Sequence, residues 1–187
     1  MKKSTKAIVV IAIIVVAVLV VLFFNPGSSS NLPTINSADD LNKLVDSIYA
    51  NVTDEMPSVM SQPIDVTDKD TVNYMTGLEN GDELEYLVVS EPMMSSQAYS
   101  LVVAKVKSGV NASKVAETMK NNINTRKWIC VSAEKLYATN SGDVVFLIMT
   151  RADLAESILN SFKSLAGNIG QLFEKTEQEV ELPADMY

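Results

Sequence analysis

The chain has 187 residues, a formal net charge of -8 and 47% hydrophobic residues, enough for one domain with its own core plus flanking segments. It has no histidine and a single cysteine, which removes His-based acid–base chemistry, the Ser-His and Cys-His nucleophile pairs and any intrachain disulfide. Charge is unevenly spread: 13 acids against Lys43 and Lys69 between Asp39 and Glu91, 5 acids against 9 bases from Pro92 to Gly170, and 5 acids against Lys175 from Gln171 on, which makes nucleic acid a poor partner.

The first predicted element is Ala7 to Phe24, AIVVIAIIVVAVLVVLFF, with no charged or polar side chain. As a helix its 18 residues span about 27 Å, close to the ~30 Å of a bilayer's hydrocarbon core. Lys2, Lys3 and Lys6 precede it and the next base is Lys43, so the positive-inside rule puts residues 1–6 in the cytoplasm and 25–187 outside. The competing expectation, a secretory signal cleaved near Ser28–Ser30, leaves the domain on the same side.

Residues 25–36, NPGSSSNLPTIN, are expected to form a linker, because Pro, Gly and Ser stop a helix and pack poorly. Residues 37–83 are expected as an acidic arm. Ser37 caps a helix with Leu41, Leu44, Val45, Ile48 and Val52 on one face. An irregular segment with Pro57 and Pro63 follows, then a helical turn around Thr71–Met75 that stops at Gly77. The expected core domain is 84–167. Its strands are Leu84–Glu91, Ala98–Lys107, Trp128–Thr139 and Asp143–Thr150. One helix, Ala112–Asn124, is capped by Asn111; another opens at Thr150 and Asp153 and presents Leu154, Ile158, Leu159, Phe162 and Leu165. Residues 168–187 are an acidic tail with an amphipathic piece over 169–179.

This order predicts an α+β fold: a four-stranded antiparallel sheet, ββαββα, with two helices on one face. The spatial order one-two-four-three gives a circularly permuted ferredoxin-like arrangement, preceded by a transmembrane helix and an additional N-terminal helix. Strand three is expected at an edge. The helix-free sheet face is expected to be covered by the Leu41–Val52 helix or by a partner.

Arg126-Lys127-Trp128-Ile129-Cys130-Val131, together with Tyr86–Met94, Ala98-Tyr99-Ser100 leading to Gly109, and Gly142-Asp143-Val144, resembles an uncharacterised family. It is a domain of unknown function in membrane-anchored proteins and lipoproteins, mainly of Gram-positive anaerobes. The resemblance covers roughly residues 70–165 and implies an extracytoplasmic location and a domain extent, without an activity.

Arg126, Lys127 and Trp128 are the candidate binding residues: a guanidinium and an ammonium beside an indole suit an anion or a sugar ring. The structural alternative buries Trp128, has Arg126 cap a helix end and leaves Lys127 solvated. Cys130 is expected buried on the strand face it shares with Trp128. Asp65, Asp68 and Asp70 lack the Gly and distal Glu of an EF-hand loop. Nothing fixes Glu79, Asp82, Glu83 and Glu85 as a glycosidase dyad. Met56, Met60, Met75, Met93 and Met94 form no repeated copper motif. No cofactor, metal or catalytic residue is expected. The expected function is a membrane-anchored, non-enzymatic binding or adaptor module for an envelope protein or a second copy. The alternatives are an envelope enzyme using carboxylates such as Glu83 or Glu85, and a ligand-sensing ectodomain acting through a membrane partner.

Overall fold

A computed structural model describes residues 30–94 and 96–177. The apolar run 7–24 lies outside them, and no described helix is long and apolar enough to cross a membrane. The described elements are α1 (Ala38–Tyr49), β1 (Val59–Pro63), α2 (Lys69–Thr76), β2 (Leu84–Pro92), β3 (Ser100–Val106), α3 (Ala112–Asn122), β4 (Lys135–Ser141), β5 (Val144–Thr150), α4 (Ala152–Ala166) and β6 (Phe173–Thr176). The sheet has six strands in the order β1-β2-β3-β5-β4-β6, all antiparallel.

The four-stranded sheet with two helices on one face is therefore corrected to a six-stranded sheet with helices on both faces. The four expected strands do sit together as β2-β3-β5-β4, but two short strands extend them. β1 was expected to be irregular because of Pro57 and Pro63; an edge strand tolerates proline where its N–H would point outward. β6 replaces the expected amphipathic piece, and it moves β4 from the edge to the interior.

The helix placement follows from β6. The β3-α3-β4 connection passes over β5, and the β5-α4-β6 connection passes over β4; both move the same way along the sheet. Their starting strands are antiparallel, so crossovers of one hand put α3 and α4 on opposite faces. Val115, Ala116 and Met119 of α3 accordingly pack with Val72 of α2 on Leu87, Val89, Val102, Ala104, Leu147 and Met149. Leu154, Ile158 and Phe162 of α4 pack with Leu41, Leu44, Val45 and Ile48 of α1 on Val88, Leu101, Val103, Phe146 and Ile148. β5 is buried at every residue, which explains its unbroken apolar run.

Local chemistry sets the helix ends. Ser37 Oγ accepts from Asp40 N at 3.2 Å and Asp40 Oδ2 accepts from Asn36 N at 3.1 Å, a reciprocal cap. Asp68 and Asn111 cap α2 and α3. Gly77 ends α2 at φ 76°, and a Cβ there would collide with the Ile123 backbone, so glycine lets α2 abut the end of α3. Arg151, at the start of α4, makes no side-chain cap bond; Asp153 Oδ1 takes Leu154 N at 2.7 Å and Glu134 Oε2 takes Ala152 N at 3.0 Å.

Residues 30–36, expected as free linker, dock on the domain. Asn31 N donates to Ala166 O at 2.9 Å, Ser141 Oγ to Ser30 Oγ at 2.8 Å and Lys105 Nζ to Ile35 O at 2.9 Å, with Ile35 buried. The chain thus joins the domain at the β4–β5 turn and the C-terminal end of α4. The opposite end gathers the α1–β1, β2–β3, α3–β4 and β5–α4 connections.

Candidate functional site

The sequence-predicted site residues lie at that loop-rich end, but they diverge. Residues 124–134 form an irregular connection rather than the first half of a strand. Thr125 Oγ1 donates to Glu177 Oε1 at 2.8 Å, and Arg126 pairs with the same carboxylate at 3.7 Å. Arg126 therefore ties the loop to the residue after β6; it does not cap α3. Trp128 is half-buried against the α2–α3 core. Lys127 turns inward, reversing the expectation of a solvated lysine.

The Lys127 side chain is 0% exposed, with Nζ 2.5 Å from Glu91 Oε1 at the end of β2. Among the described residues that oxygen has no partner besides this ion pair. Nζ also lies 3.4 Å from Ser100 Oγ, 5.1 Å from the Tyr74 ring centroid and 5.6 Å from that of Trp128. Tyr74 OH donates to Lys127 O at 3.3 Å. Burial holds the Lys127 ammonium below its usual range, against the opposing pull of Glu91. A caged cation with its own counter-ion has no free donor for a ligand; it pins the 124–134 loop to the sheet. No motif announced this role, although an Arg-Lys-Trp run after a helix was visible in the sequence.

Cys130 is exposed, with φ 61°, correcting the expected buried thiol. With residues 124–134 outside the sheet, strand alternation no longer places Cys130 on a face with Trp128. A maleimide is expected to label it stoichiometrically in the folded protein without denaturant; labelling only after unfolding would contradict this geometry.

Other sequence candidates do not converge. Asp65 and Asp68 accept from Thr67 and Thr71, which lowers both carboxyls and assigns them to a turn and a helix cap. Among the described residues no three His, Cys, Asp or Glu side chains gather as metal ligands. Glu85 pairs with Lys105 at 3.1 Å. Met56 packs towards the α1–α4 core and Met75 towards the α2–α3 core, on opposite faces.

Two clefts among the described residues bear on function. One, of about 400 Å³, lies between Glu55–Pro57, Gln97–Tyr99, Val131–Ser132 and Arg151–Leu154. Two of its charged side chains are already engaged: Glu134 caps α4, and Arg151 donates to Glu55 O and Asp153 Oδ1, each at 2.8 Å. The other, of about 410 Å³, runs between α1 and β1 and is lined by Asn42, Asp46, Tyr49, Val59, Met60 and Ser61. Tyr99 OH donates to Tyr49 OH at 2.9 Å, and burial raises both phenols, Tyr99 well above its ordinary value.

The exposed large apolar side chains concentrate on the loop-rich end and the β1 edge. Met93 is 73% exposed, Met94 66% and Ile129 69%. Met60 and Tyr74 are also more than half exposed. Comparison with protein-family models, curated proteins and solved structures finds no match.

Proposed function

We propose that this is a membrane-anchored, extracytoplasmic binding or adaptor module whose loop-rich end engages a protein partner of the envelope. The observation carrying this reading is the exposure of Met93, Met94 and Ile129 on loops at the end remote from Ser30. Loops on a rigid scaffold are where binding surfaces concentrate, and methionine adapts its shape to varied apolar partners. Residues 7–24 supply the anchor, on the strength of their apolar run and the lysines before it. Five residues, 25–29, separate that run from Ser30, a length that spans at most about 18 Å, so on this reading Ser30 stays near the bilayer. Of the two covers expected for that sheet face, the helix carrying Leu41, Leu44, Val45 and Ile48 is the one present, beside α4, so the proposed surface lies on the loops.

Site-specific photo-crosslinking in native membranes tests this. A photoreactive residue at Met94 or Ile129 is expected to give one discrete heteromeric adduct, and the same residue at Glu117 on the exposed face of α3 none. Adducts from all three positions alike, or from none, would remove the reading.

A further inference from the structure

The groove between α1 and β1 carries a second recognition device. Among the described residues β1 pairs with β2 on one side only, in the register Val59↔Pro92 to Pro63↔Val88. The ladder continues at both ends: Met93 N donates to Ser58 O at 3.2 Å and Ile64 N to Leu87 O at 2.9 Å. Antiparallel strands alternate inward and outward backbone groups. Ser58, Met60, Gln62 and Ile64 therefore turn their N–H and C=O towards β2. Val59 and Ser61 turn theirs outward, flanked at the next outward positions by Pro57 and Pro63, which have no N–H. The free edge is a bounded slot with two donors, long enough for one short strand and too short for indiscriminate sheet growth.

Alongside this slot, Asn42, Asp46 and Tyr49 form a stripe at helical spacing on α1 that lines the groove with Val59 and Ser61. Tyr49 is held from behind by the Tyr99 hydroxyl. Asn42 Oδ1 is buried with no hydrogen-bond partner among the described residues, an acceptor left without a donor. Asp46 is exposed and enters no ion pair among the described residues, in a segment where 13 acids face two bases. An edge strand with a helix-walled groove beside it is the geometry of strand addition, where backbone bonds give affinity and side-chain pockets give specificity.

We propose that the β1–α1 groove accepts an extended, basic segment of a partner protein, which adds to the sheet as a seventh strand and presents a Lys or Arg to Asp46 and Asn42. This deepens the binding-module reading and rests on it. The Asp46 carboxylate decides the occupant. A second copy docking edge to edge would bring two such carboxylates to one seam. The chain's own residues 178–187 carry Glu179, Glu181 and Asp185 and would be repelled.

The test uses the full-length chain in detergent and an immobilised heptapeptide library, randomised except for a central Lys or a central Glu. Binding is expected to favour the Lys series at least tenfold. Asp46→Lys is expected to reverse the preference. Ser61→Pro deletes an outward N–H that the sheet does not use, so the domain stays folded while binding to the library falls at least tenfold. Hydrogen exchange supplies the fingerprint: a bound Lys peptide protects the Val59 and Ser61 amides and leaves those of Met60 and Gln62 unchanged. No Lys preference, binding unaffected by Ser61→Pro, or a Ser61-dependent homodimer in place of peptide binding would each overturn the groove. Failure here with intact crosslinks from Met94 and Ile129 removes the groove alone; loss of those crosslinks removes the binding module itself.

Discussion

Glu91→Gln is expected to destabilise the domain by about 3–5 kcal/mol, the cost of leaving a buried charge without its partner. The Lys127 side chain is fully enclosed, and among the described residues Glu91 is the only anion paired with it. The neighbouring Tyr74 and Trp128 rings and the Ser100 hydroxyl cannot replace a carboxylate. Lys127→Met is expected to cost much less, because the Glu91 side chain is 24% exposed and reaches water once the lysine is gone. The double variant Glu91→Gln/Lys127→Met is expected to recover most of the loss, since a methionine stem fills the same cage without charge. The pH dependence has a definite sign. Burial holds the folded Lys127 below its ordinary 10.5, and removing Glu91 lets it fall further. Between the folded value and 10.5 the unfolded chain then binds the extra proton, so the stability of Glu91→Gln rises with pH across that window. Urea denaturation at pH 7 and pH 9 stays below the titration of Tyr49 and Tyr99, whose raised values would otherwise oppose the trend. A loss under about 1 kcal/mol, or stability falling with pH, would mean that the pair does not hold the 124–134 loop.

The strongly periodic elements were legible: the Ser37 cap and its helix, the Gly77 stop, the apolar runs of β3 and β5, and the central order β2-β3-β5-β4. Two things escaped. β1 and β6 are short edge strands of five and four residues, half or more exposed, and edge strands lack the apolar alternation that identifies interior ones. Missing β6 had the larger consequence, since it alone sends α4 across the opposite face. The other miss was the 124–134 connection. Trp128, Ile129 and Val131 suit a strand by composition, yet the Lys127–Glu91 pair and the Thr125–Glu177 bond hold the segment as a loop. Tertiary contacts outweighed local preference there. Within the candidate site, Lys127 is buried instead of solvated and Arg126 pairs with Glu177 instead of capping a helix, because burial of a lysine depends on a carboxylate 36 positions earlier in the chain. The Asn42, Asp46 and Tyr49 stripe was visible as helical spacing but had no meaning until β1 lay beside it.

Phe162→Ala tests the face assignment and is expected to cost about 3–5 kcal/mol, the usual range for emptying a buried aromatic site. Phe162 is fully enclosed and stacks on Phe146, with ring centroids 4.4 Å apart and planes 15° from parallel. The size of the loss alone does not say which face α4 covers, because a buried phenylalanine is costly to remove from either. Coupling does. Phe146 and Leu147 are adjacent in β5 and point to opposite faces of the sheet. A double-mutant cycle of Phe162→Ala with Phe146→Leu is expected to show about 0.5–1.5 kcal/mol of coupling from the lost stack. The cycle of Phe162→Ala with Leu147→Ala is expected to be additive within about 0.5 kcal/mol, since a layer of sheet separates the two side chains. Had α4 shared a face with α3, as in the ferredoxin-like arrangement, Phe162 would couple to Leu147 and be independent of Phe146. The two cycles therefore separate the topologies by a reversal of pattern, and chemical denaturation of the wild type, three single variants and two double variants suffices to read it.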